Sequence, residues 1–190
     1  MKFVFATNNS HKLEEARNII KSHEVMSLKD LNIDVEIPED HETLAENSLQ
    51  KAQFIYEITN MNVFADDTGL EIEALDGRPG VYSARYAGEG CNFADNVKKV
   101  IEELKGQSNR RAAFRTVLVM IMDGKEYMFE GRVDGHIIEE SVGRKGFGYD
   151  PIFVPEGYNQ TFAQMTAELK NSMSHRARAF HKVVEFLELR

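Results

Sequence analysis

The sequence predicts an α/β fold, and two features of its pattern support this class. Short apolar runs of strand length alternate with segments whose apolar residues recur at helical spacing, as in residues 2–7 followed by residues 12–20. A longer apolar run at residues 112–122 suits a central strand covered on both faces, and an Asp-Gly turn connects it to a second strand at residues 127–138. These patterns indicate a sheet with helices packed against it.

Composition narrows the class of protein and of partner. The chain has 190 residues, of which 42% are hydrophobic and 28% charged, as expected for one globular domain spanning residues 1–190 without a linker. Its apolar segments are too short to cross a membrane or to form a signal peptide, so a cytoplasmic location is expected. The net charge of −8 disfavours a broad nucleic-acid surface. Cys91 is the only cysteine, which excludes an internal disulfide, and we expect it to be structural.

A polar turn joins the first predicted strand to the first predicted helix. It consists of Thr7, Asn8, Asn9, Ser10, His11 and Lys12. A strand, a turn and a helix in this order leave backbone N–H groups at a helix N-terminus, where phosphate binds readily. The glycines of a P-loop or of a dinucleotide-binding fingerprint are missing, so those motifs are excluded. The turn therefore predicts either a phosphate site or an Asn or Ser helix cap without a ligand.

Residues 43–59 predict a helix that begins with a capping box. Thr43 is the expected cap, and Glu46 is its partner three residues later. Asn47 and Lys51 lie one turn apart, opposite the apolar stripe. Solvated side chains are the usual explanation for that position, and contact with a ligand is the alternative.

Three other segments complete the pattern of elements. Residues 21–42 are weakly patterned and predict short strands near Val25 and at residues 35–37. Residues 77–90 contain four glycines and a proline, which indicates a long structured loop. Residues 93–104 predict a further helix from their apolar spacing.

Two adjacent carboxylates follow a short apolar run. Phe64 and Ala65 suit a buried strand, and the Thr-Gly pair after the acids predicts a break, so Asp66 and Asp67 are placed at the carboxyl end of the strand. Ligands of open α/β sheets bind at that end. Because side chains alternate along a strand, the two acids should point in opposite directions, and one should face a site. The alternative is that the pair caps a turn.

A glycine-rich stretch at residues 143–151 contains two aromatic residues, Phe147 and Tyr149. Glycines let the backbone approach a flat ligand closely while a ring stacks on it. The alternative is a tight turn whose rings belong to the core.

The last predicted helix begins after Ser174 and continues through Leu189. Ser174 is the expected cap, which puts His175 and Arg176 in the first turn. The helix dipole disfavours basic residues there, so a nearby anion would explain them. A solvated basic end is the alternative.

Together, these stretches resemble the inosine/xanthosine triphosphate pyrophosphatase family, which hydrolyses deaminated purine nucleoside triphosphates. They are residues 6–12, 46–52, 65–70, 79–86 and 146–151, with Lys170 and the Ser174-His175-Arg176 sequence. Each stretch is a weak signal alone. Their order and spacing, which match those of the family over nearly the whole chain, make the combined signal strong.

The resemblance implies an elongated α/β fold with two lobes, a mixed sheet flanked by helices and a central active-site cleft. Homodimers are usual in this family. The implied reaction cleaves ITP, dITP or XTP between the α and β phosphates with Mg²⁺ and gives the monophosphate and pyrophosphate. The substrate is a small molecule, and neither nucleic acid nor a membrane is an expected partner.

The resemblance also assigns roles to individual residues. Asp67 is the base that activates water and is a metal ligand, Glu39 is a second metal ligand, and Asp66 supports the site. A shift of the match along this acidic segment would replace Glu39 by Asp40 or Glu42. The substrate-binding residues are Thr7, Asn8, Asn9, Ser10, His11, Lys12, Lys51, Thr68, Phe147, Gly148, Tyr149, Asp150, Lys170, His175 and Arg176.

The charges of such a substrate suit this distribution of residues. A nucleoside triphosphate carries about four negative charges, on the order of one to two per phosphate group. Lone basic residues from separated segments are expected if the fold gathers them around one polyanion. They are Lys12, Lys51, Lys170 and Arg176. Mg²⁺ needs one or two carboxylates besides phosphate oxygens, which matches the predicted acids.

Two other classes of protein are alternatives. A regulatory nucleotide-binding protein with the same pocket would bind nucleotide with Mg²⁺ but would not release pyrophosphate. A phosphatase or kinase acting at the terminal phosphate would carry a P-loop or a phospho-acceptor motif, and the sequence has neither.

Overall fold

The structure, a computed structural model, describes residues 1–90 and 92–190, so the predicted role of Cys91 lies outside the described residues. The strands are β1 (Lys2–Phe5), β2 (Glu24–Met26), β3 (Val63–Ile72), β4 (Pro79–Gly80), β5 (Arg111–Met122), β6 (Lys125–Ile137) and β7 (Phe153–Pro155). The α-helices are α1 (Ser10–Ile19), α2 (Leu44–Thr59), α3 (Phe93–Glu103), α4 (Ala167–Met173) and α5 (His175–Glu188). Within the described residues, no helix is long and apolar enough to span a membrane.

The strands form one mixed sheet in the order β2-β1-β3-β5-β6-β7, with β4 paired to β3. Strand β1 is parallel to β2 and β3, whereas β4 is antiparallel to β3 and β7 is antiparallel to β6. The turn between β5 and β6 has φ of 51° at Asp123 and 74° at Gly124, as a two-residue hairpin requires. The predicted hairpin and the predicted mixed α/β class are confirmed.

The chain divides into two compact units, and the first comprises Met1–Asp67, Thr116–Gly131 and His175–Arg190. Helices cover both faces of its part of the sheet. On one face, Phe3, Phe5 and Phe64 pack with apolar residues of α1 and α5. On the other face, Val63 and Ala65 pack with α2. Because side chains alternate along β1 and β3, an apolar layer forms on each face of this sheet.

The second unit comprises Thr68–Arg115 and Arg132–Ser174. Its core contains the rings of Phe114, Phe153 and Phe162, whose centroids lie between 4.8 and 5.9 Å apart. Val97 and Val100 of α3 belong to the same apolar cluster. The strands β5 and β6 supply residues to this core and to that of the first unit.

The prediction that β3 ends after Asp67 is wrong. The strand continues to Ile72, so both acids lie in its middle. Gly69, expected to break the strand, instead permits pairing with β4, because a Cβ at Gly69 would lie 2.7 Å from the carbonyl oxygen of Gly80. A glycine inside a strand can mark close backbone approach as well as a turn.

Two smaller differences concern short elements. Residues 35–37 are not a strand, although Ile33, Val35 and Ile37 are partly buried in alternation and pack against the first unit's core. Their pattern is that of a strand, but among the described residues the sheet does not include them. Helix α4 was not predicted, because its seven residues are too few to establish a helical period.

Candidate active site

Strand β3 presents two adjacent carboxylates to opposite faces of the first unit's sheet. Asp66 follows Phe64 on the face covered by α1 and α5, and Asp67 follows Ala65 on the face covered by α2. Both are buried, with 1% and 7% of their surface exposed. The divergence expected from strand geometry gives each acid a separate set of neighbours.

Two cations contact the carboxylate of Asp66. Lys12 Nζ donates to Oδ1 at 3.0 Å, and Arg176 Nε donates to Oδ2 at 3.0 Å. Arg176 also pairs through Nη1 with Glu15 of α1. Each oxygen of Asp66 therefore accepts a bond from a charged donor, and the carboxylate links α1 and α5 to β3.

The cations determine the protonation of Asp66. Burial alone would raise the pKa of Asp66, but the charges of Lys12 and Arg176 outweigh burial and hold this pKa well below its usual range. Burial also lowers the pKa of Lys12, against the opposing charge of Asp66. A carboxylate with a depressed pKa binds a proton poorly, so Asp66 is unsuited to act as a base.

The neighbours of Asp67 include a cation and a neutral hydrogen-bond donor. Lys51 Nζ lies 3.6 Å from Oδ1 of Asp67, and Asn47 Nδ2 donates to Oδ2 at 3.3 Å. Lys51 also forms an ion pair with Glu39, whose side chain is 38% exposed. The ammonium group of Lys51 is thus shared between two carboxylates.

This arrangement leaves Asp67 more basic than Asp66. Burial raises the pKa of Asp67, and the charges of Lys51 and Lys12 oppose it without cancelling it. Burial would lower the pKa of Lys51, but Asp67 and Glu39 outweigh burial and raise it. A carboxylate with a raised pKa is the better proton acceptor of an adjacent pair.

Three polar residues of α2 are buried, namely Asn47, Ser48 and Lys51, so the solvated alternative for Asn47 and Lys51 is wrong. Their exposed fractions are 2% and 4%. Ser48 is also buried, and its Oγ donates to the carbonyl of Ala65 at 2.8 Å and accepts from the backbone N of Val119 at 3.1 Å. The partners of these residues belong to other segments, which helical spacing alone does not reveal.

The polar turn before α1 is a capped helix start. Asn9 Oδ1 accepts bonds from the backbone N atoms of His11 and Lys12 at 3.0 and 3.2 Å, and Thr7 Oγ1 accepts from the N of Asn9 at 3.1 Å. Of the two alternatives at this turn, the helix cap is present. The exposed residues of the turn are Asn8, Ser10 and His11.

His175 and Arg176 occupy the first turn of α5 as predicted, but they are buried rather than solvated. Asp66 and Glu15 supply the negative charge near the helix N-terminus that a basic first turn requires. Gly131 of β6 lies against this turn, since a Cβ there would be 1.9 Å from the carbonyl oxygen of His175. The missing side chain permits the backbones to approach.

The other predicted residues belong to the second unit, where Asp150 organises the glycine-rich turn. Its Oδ2 accepts from Lys170 Nζ at 2.7 Å and from the backbone N of Phe147 at 2.9 Å. Gly146 has φ of 72°, and a Cβ there would lie 2.0 Å from the same oxygen, so glycine is needed to close the turn. Thr68 is half-buried in β3.

The two rings of this turn have different surroundings. Tyr149 is buried, its hydroxyl donates to the carbonyl of Ser83 at 2.8 Å, and burial raises its pKa above the usual range. Phe147 is half-buried beside a surface groove of about 560 Å³, with its ring centroid 6.1 Å from that of Phe93. Gly148 has φ of 61° and open space where a Cβ would be. Phe147 is therefore the ring with open space next to it.

The carboxylates of Asp67 and Glu39 suit a cation that takes only one or two ligands from the protein. Water and substrate would supply the other ligands of such a cation. Within the described residues, no group of three or more His, Cys, Asp or Glu side chains is arranged to hold a metal. Mg²⁺ accepts one or two carboxylates and completes its shell with water and phosphate oxygens. Glu39 contacts Lys51, whereas Asp40 accepts a bond from Gln50 at 2.7 Å, so the contacts favour Glu39 over Asp40 as partner of Asp67.

Sequence reasoning missed two contributors to this arrangement. Glu15, which pairs with Arg176, was not singled out, although it lies three residues after Lys12 on the same side of α1. For Asn47, the sequence leaves solvent exposure and ligand contact as alternatives, and neither predicts its bond to Asp67. The signal in both cases was a polar residue at helical spacing from a lysine.

Residues 3–186 match the sequence model of the Ham1 family. The chain belongs to the Ham1 family. Among similar proteins, one from Porphyromonas gingivalis, named dITP/XTP pyrophosphatase, is 48% identical over 98% of this chain and 97% of its own. One of the same name from Flavobacterium johnsoniae is 44% identical over 98% of both. The Ham1 protein of Staphylococcus aureus has a structure that matches with a TM-score of 0.89 at 38% identity, covering 99% of this chain and 98% of that chain. The family resemblance read from the sequence is confirmed.

Proposed function

We infer that this Ham1 protein is a nucleoside-triphosphate pyrophosphatase that hydrolyses ITP, dITP and XTP to the monophosphate and pyrophosphate. One observation carries this conclusion: relatives with 44% and 48% identity over nearly their whole length are dITP/XTP pyrophosphatases. The activity removes deaminated purines from the nucleotide pool. Nothing in the site or the relatives favours a catalytically silent nucleotide-binding protein.

In the proposed reaction, Asp67 accepts a proton from the attacking water. The oxygen of that water forms a bond to phosphorus, the bridge between the α and β phosphates breaks, and pyrophosphate leaves. The raised pKa of Asp67 supports this role, since a carboxylate of ordinary acidity would be a weaker base near neutral pH. The half-buried Lys12 and the buried Lys51, which lie on the two faces of β3, would balance charge on the phosphates.

We propose Mg²⁺ as the cofactor, held by Glu39 and Asp67. A bound Mg²⁺ would neutralise phosphate charge and polarise a water molecule. For these carboxylates to receive it, the ammonium group of Lys51 has to share them or move towards the phosphates. Thr7, Asn8, Asn9, Ser10 and His11, together with Thr68, are proposed to complete the phosphate contacts.

Base recognition is proposed for Phe147, Gly148, Tyr149 and Asp150, with Lys170, His175 and Arg176 as further substrate contacts. Deaminated purines carry a carbonyl oxygen at position 6, whereas adenine carries an amino group there. Fixed N–H donors of the protein would form hydrogen bonds to the carbonyl oxygen of a deaminated purine. Against the amino group of adenine, which is itself a donor, they would form none. Sites that leave polar groups unpaired against the wrong substrate can discriminate by about 10⁴ to 10⁵. Phe147 would stack on any purine and so contribute to affinity more than to choice.

The remaining parts of the proposal concern assembly and location. We propose that residues 1–190 act as one pyrophosphatase domain, that the protein is a cytoplasmic homodimer, and that neither nucleic acid nor a membrane is a partner. The acidic net charge of −8 supports the last point.

A nucleotide panel with Mg²⁺ tests the function. Pyrophosphate and orthophosphate are measured separately for ITP, XTP, dITP, GTP and ATP, with the Asp67→Asn protein as control for contaminating enzymes. We expect pyrophosphate, with kcat/KM for ITP far above that for ATP. Release of orthophosphate, or equal rates with ATP and ITP, would contradict the proposal.

A further inference from the structure

Asn47 of α2 uses its amide to contact two separate segments of the first unit. Its Oδ1 accepts from the backbone N of His41 at 2.9 Å, and its Nδ2 donates to the carbonyl of His41 at 3.1 Å. The same Nδ2 donates to Oδ2 of Asp67 at 3.3 Å. An amide nitrogen has two N–H groups, so these contacts use both donors of the side chain.

These bonds connect the two acids of the proposed site. His41 follows Glu39 by two residues, and its backbone is held at both its N–H and its C=O. Asp67 receives Asn47 on Oδ2, while Lys51 lies near Oδ1. Asn47 donates to one oxygen of this carboxylate and the ammonium group of Lys51 lies 3.6 Å from the other, so together the two groups favour one orientation of the carboxylate plane.

We propose that Asn47 is a positioning residue for the hydrolysis. Its amide orients the carboxylate of Asp67 and holds the segment that carries Glu39 in a fixed position relative to Asp67. This inference rests on the proposed function. Asn47 acts through Asp67 and Glu39 and does not itself react. Its burial, with 2% of its surface exposed, keeps water from replacing these bonds.

The chemistry of the position restricts which side chains can serve. Aspartate has the same shape and keeps an acceptor for the N–H of His41, but it replaces the donor near Asp67 with a negatively charged oxygen. Alanine leaves the polar groups of His41 and the Oδ2 of Asp67 without this partner. Errors of about 1 Å in the placement of reacting groups can reduce rates about 100-fold, so loss of this amide should affect turnover.

Gln50 provides a matched control on the same helix. Its Oε1 accepts from the backbone N of Asp40 at 3.0 Å, and its Nε2 donates to Oδ2 of Asp40 at 2.7 Å. Gln50 therefore holds the same segment as Asn47, with the same amide chemistry, but its recorded bonds go to Asp40 rather than to Asp67. Comparing the two residues separates anchoring of the segment from orientation of the base.

The experiment measures kcat and KM for ITP at saturating Mg²⁺ in Asn47→Ala, Asn47→Asp and Gln50→Ala. We expect Asn47→Ala and Asn47→Asp to lower kcat about 10- to 100-fold with KM changed by less than about threefold. We expect Gln50→Ala to retain kcat within about twofold, as for a surface contact. Because aspartate preserves the packing volume, Asn47→Asp serves if Asn47→Ala does not fold.

A second readout does not depend on turnover. Calorimetry measures the affinity of Mn²⁺, as a probe for the divalent cation, without nucleotide. We expect Asn47→Ala to weaken Mn²⁺ binding about tenfold and Gln50→Ala to leave it unchanged, since about 1.4 kcal/mol of lost orientation corresponds to that factor.

Each result decides between the proposals. Turnover and Mn²⁺ affinity close to wild type in both Asn47 variants would overturn the positioning role, as would equal losses in Gln50→Ala. A wild-type protein that binds Mn²⁺ but releases no pyrophosphate from ITP would overturn the proposed function, and the Mn²⁺ affinities would still decide the role of Asn47. A wild-type protein that binds no Mn²⁺ and is inactive contradicts both.

Discussion

Asp66 and Asp67 are neighbours in β3, but the two faces of the sheet give them different chemistry. On the face of α1 and α5, two cations contact Asp66, one at each oxygen. On the face of α2, Asp67 receives a neutral amide and shares one cation with Glu39. Burial raises the pKa of both carboxylates, and only around Asp66 does the surrounding charge outweigh it. The charge balance, more than the depth of burial, distinguishes the structural acid from the basic one.

The largest expected effect is on turnover and belongs to Asp67. We expect Asp67→Asn to lower kcat for ITP by about two to four orders of magnitude, the usual contribution of a general base, while the protein still folds and binds nucleotide. Release of pyrophosphate is the measurement. The exposed Asp34→Asn variant is the control, and near wild-type turnover in a folded Asp67→Asn protein would remove this residue from the mechanism.

The second effect is on stability and belongs to Asp66. We expect Asp66→Asn to lower the free energy of unfolding by about 3–5 kcal/mol, because Lys12 and Arg176 then lose a buried counter-charge. Denaturant unfolding measures this change, with Asp34→Asn expected within about 0.5 kcal/mol of wild type. A smaller loss in Asp66→Asn than in Asp67→Asn would reverse the assignment of the two acids.

A third, smaller effect concerns the lysines near the two acids and near Asp150. Single changes Lys12→Ala, Lys51→Ala and Lys170→Ala should each raise KM for ITP or lower kcat by about 10- to 100-fold, which corresponds to about 1.5–3 kcal/mol for a charge-assisted bond. The affinity of IMP should change far less, because the monophosphate carries less charge. Kinetics and product inhibition provide the two measurements, with exposed Lys21→Ala as the control. Equal losses for both nucleotides would show that the lysines do not bind the triphosphate.

The smallest effect concerns how the free energy of unfolding depends on pH. Asp66 and Asp67 should contribute to this dependence with opposite signs. The pKa of Asp66 is lowered on folding, so its contribution to stability is complete above its unfolded value of about 3.9 and disappears as pH falls towards the folded value. The pKa of Asp67 is raised, so the protein loses stability as pH rises from about 3.9 to the folded value. Unfolding of Asp66→Asn and Asp67→Asn, each compared with wild type between about pH 3 and pH 7, should show opposite trends. Parallel trends would mean that both acids have the same environment.

The sequence predicted these features to the extent that they depend on local geometry. Alternation along a strand predicted that Asp66 and Asp67 diverge, and the capping box predicted the start of α2 at Thr43, whose Oγ1 accepts from the N of Glu46 at 3.2 Å. The end of β3 was misplaced because Gly69 serves a close approach to Gly80, which local sequence does not distinguish from a turn.

Features that depend on distant segments could not be predicted in the same way. Lys51 is an ordinary surface lysine by its helical spacing, and its burial depends on Glu39 and Asp67 in other segments. Similarly, the basic residues at the start of α5 predict a nearby anion without showing its source, and Asp66 and Glu15 supply negative charge from within the chain. The family resemblance assigned these residues to the site, but it did not predict that Lys12, Lys51 and Arg176 would pair with acids of the same chain.

Ser48 fixes the position, along the helix axis, of the helix that carries Asn47 and Lys51. Its hydroxyl lies between the carbonyl of Ala65 in β3 and the backbone N of Val119 in β5. Ala65 is the residue immediately before the acid pair. A helix advances about 1.5 Å per residue, so slippage by a single position would break both bonds of this hydroxyl and carry the two side chains past Asp67. One buried O–H group thus sets the longitudinal register between α2 and β3, and the distances around Asp67 follow from that register.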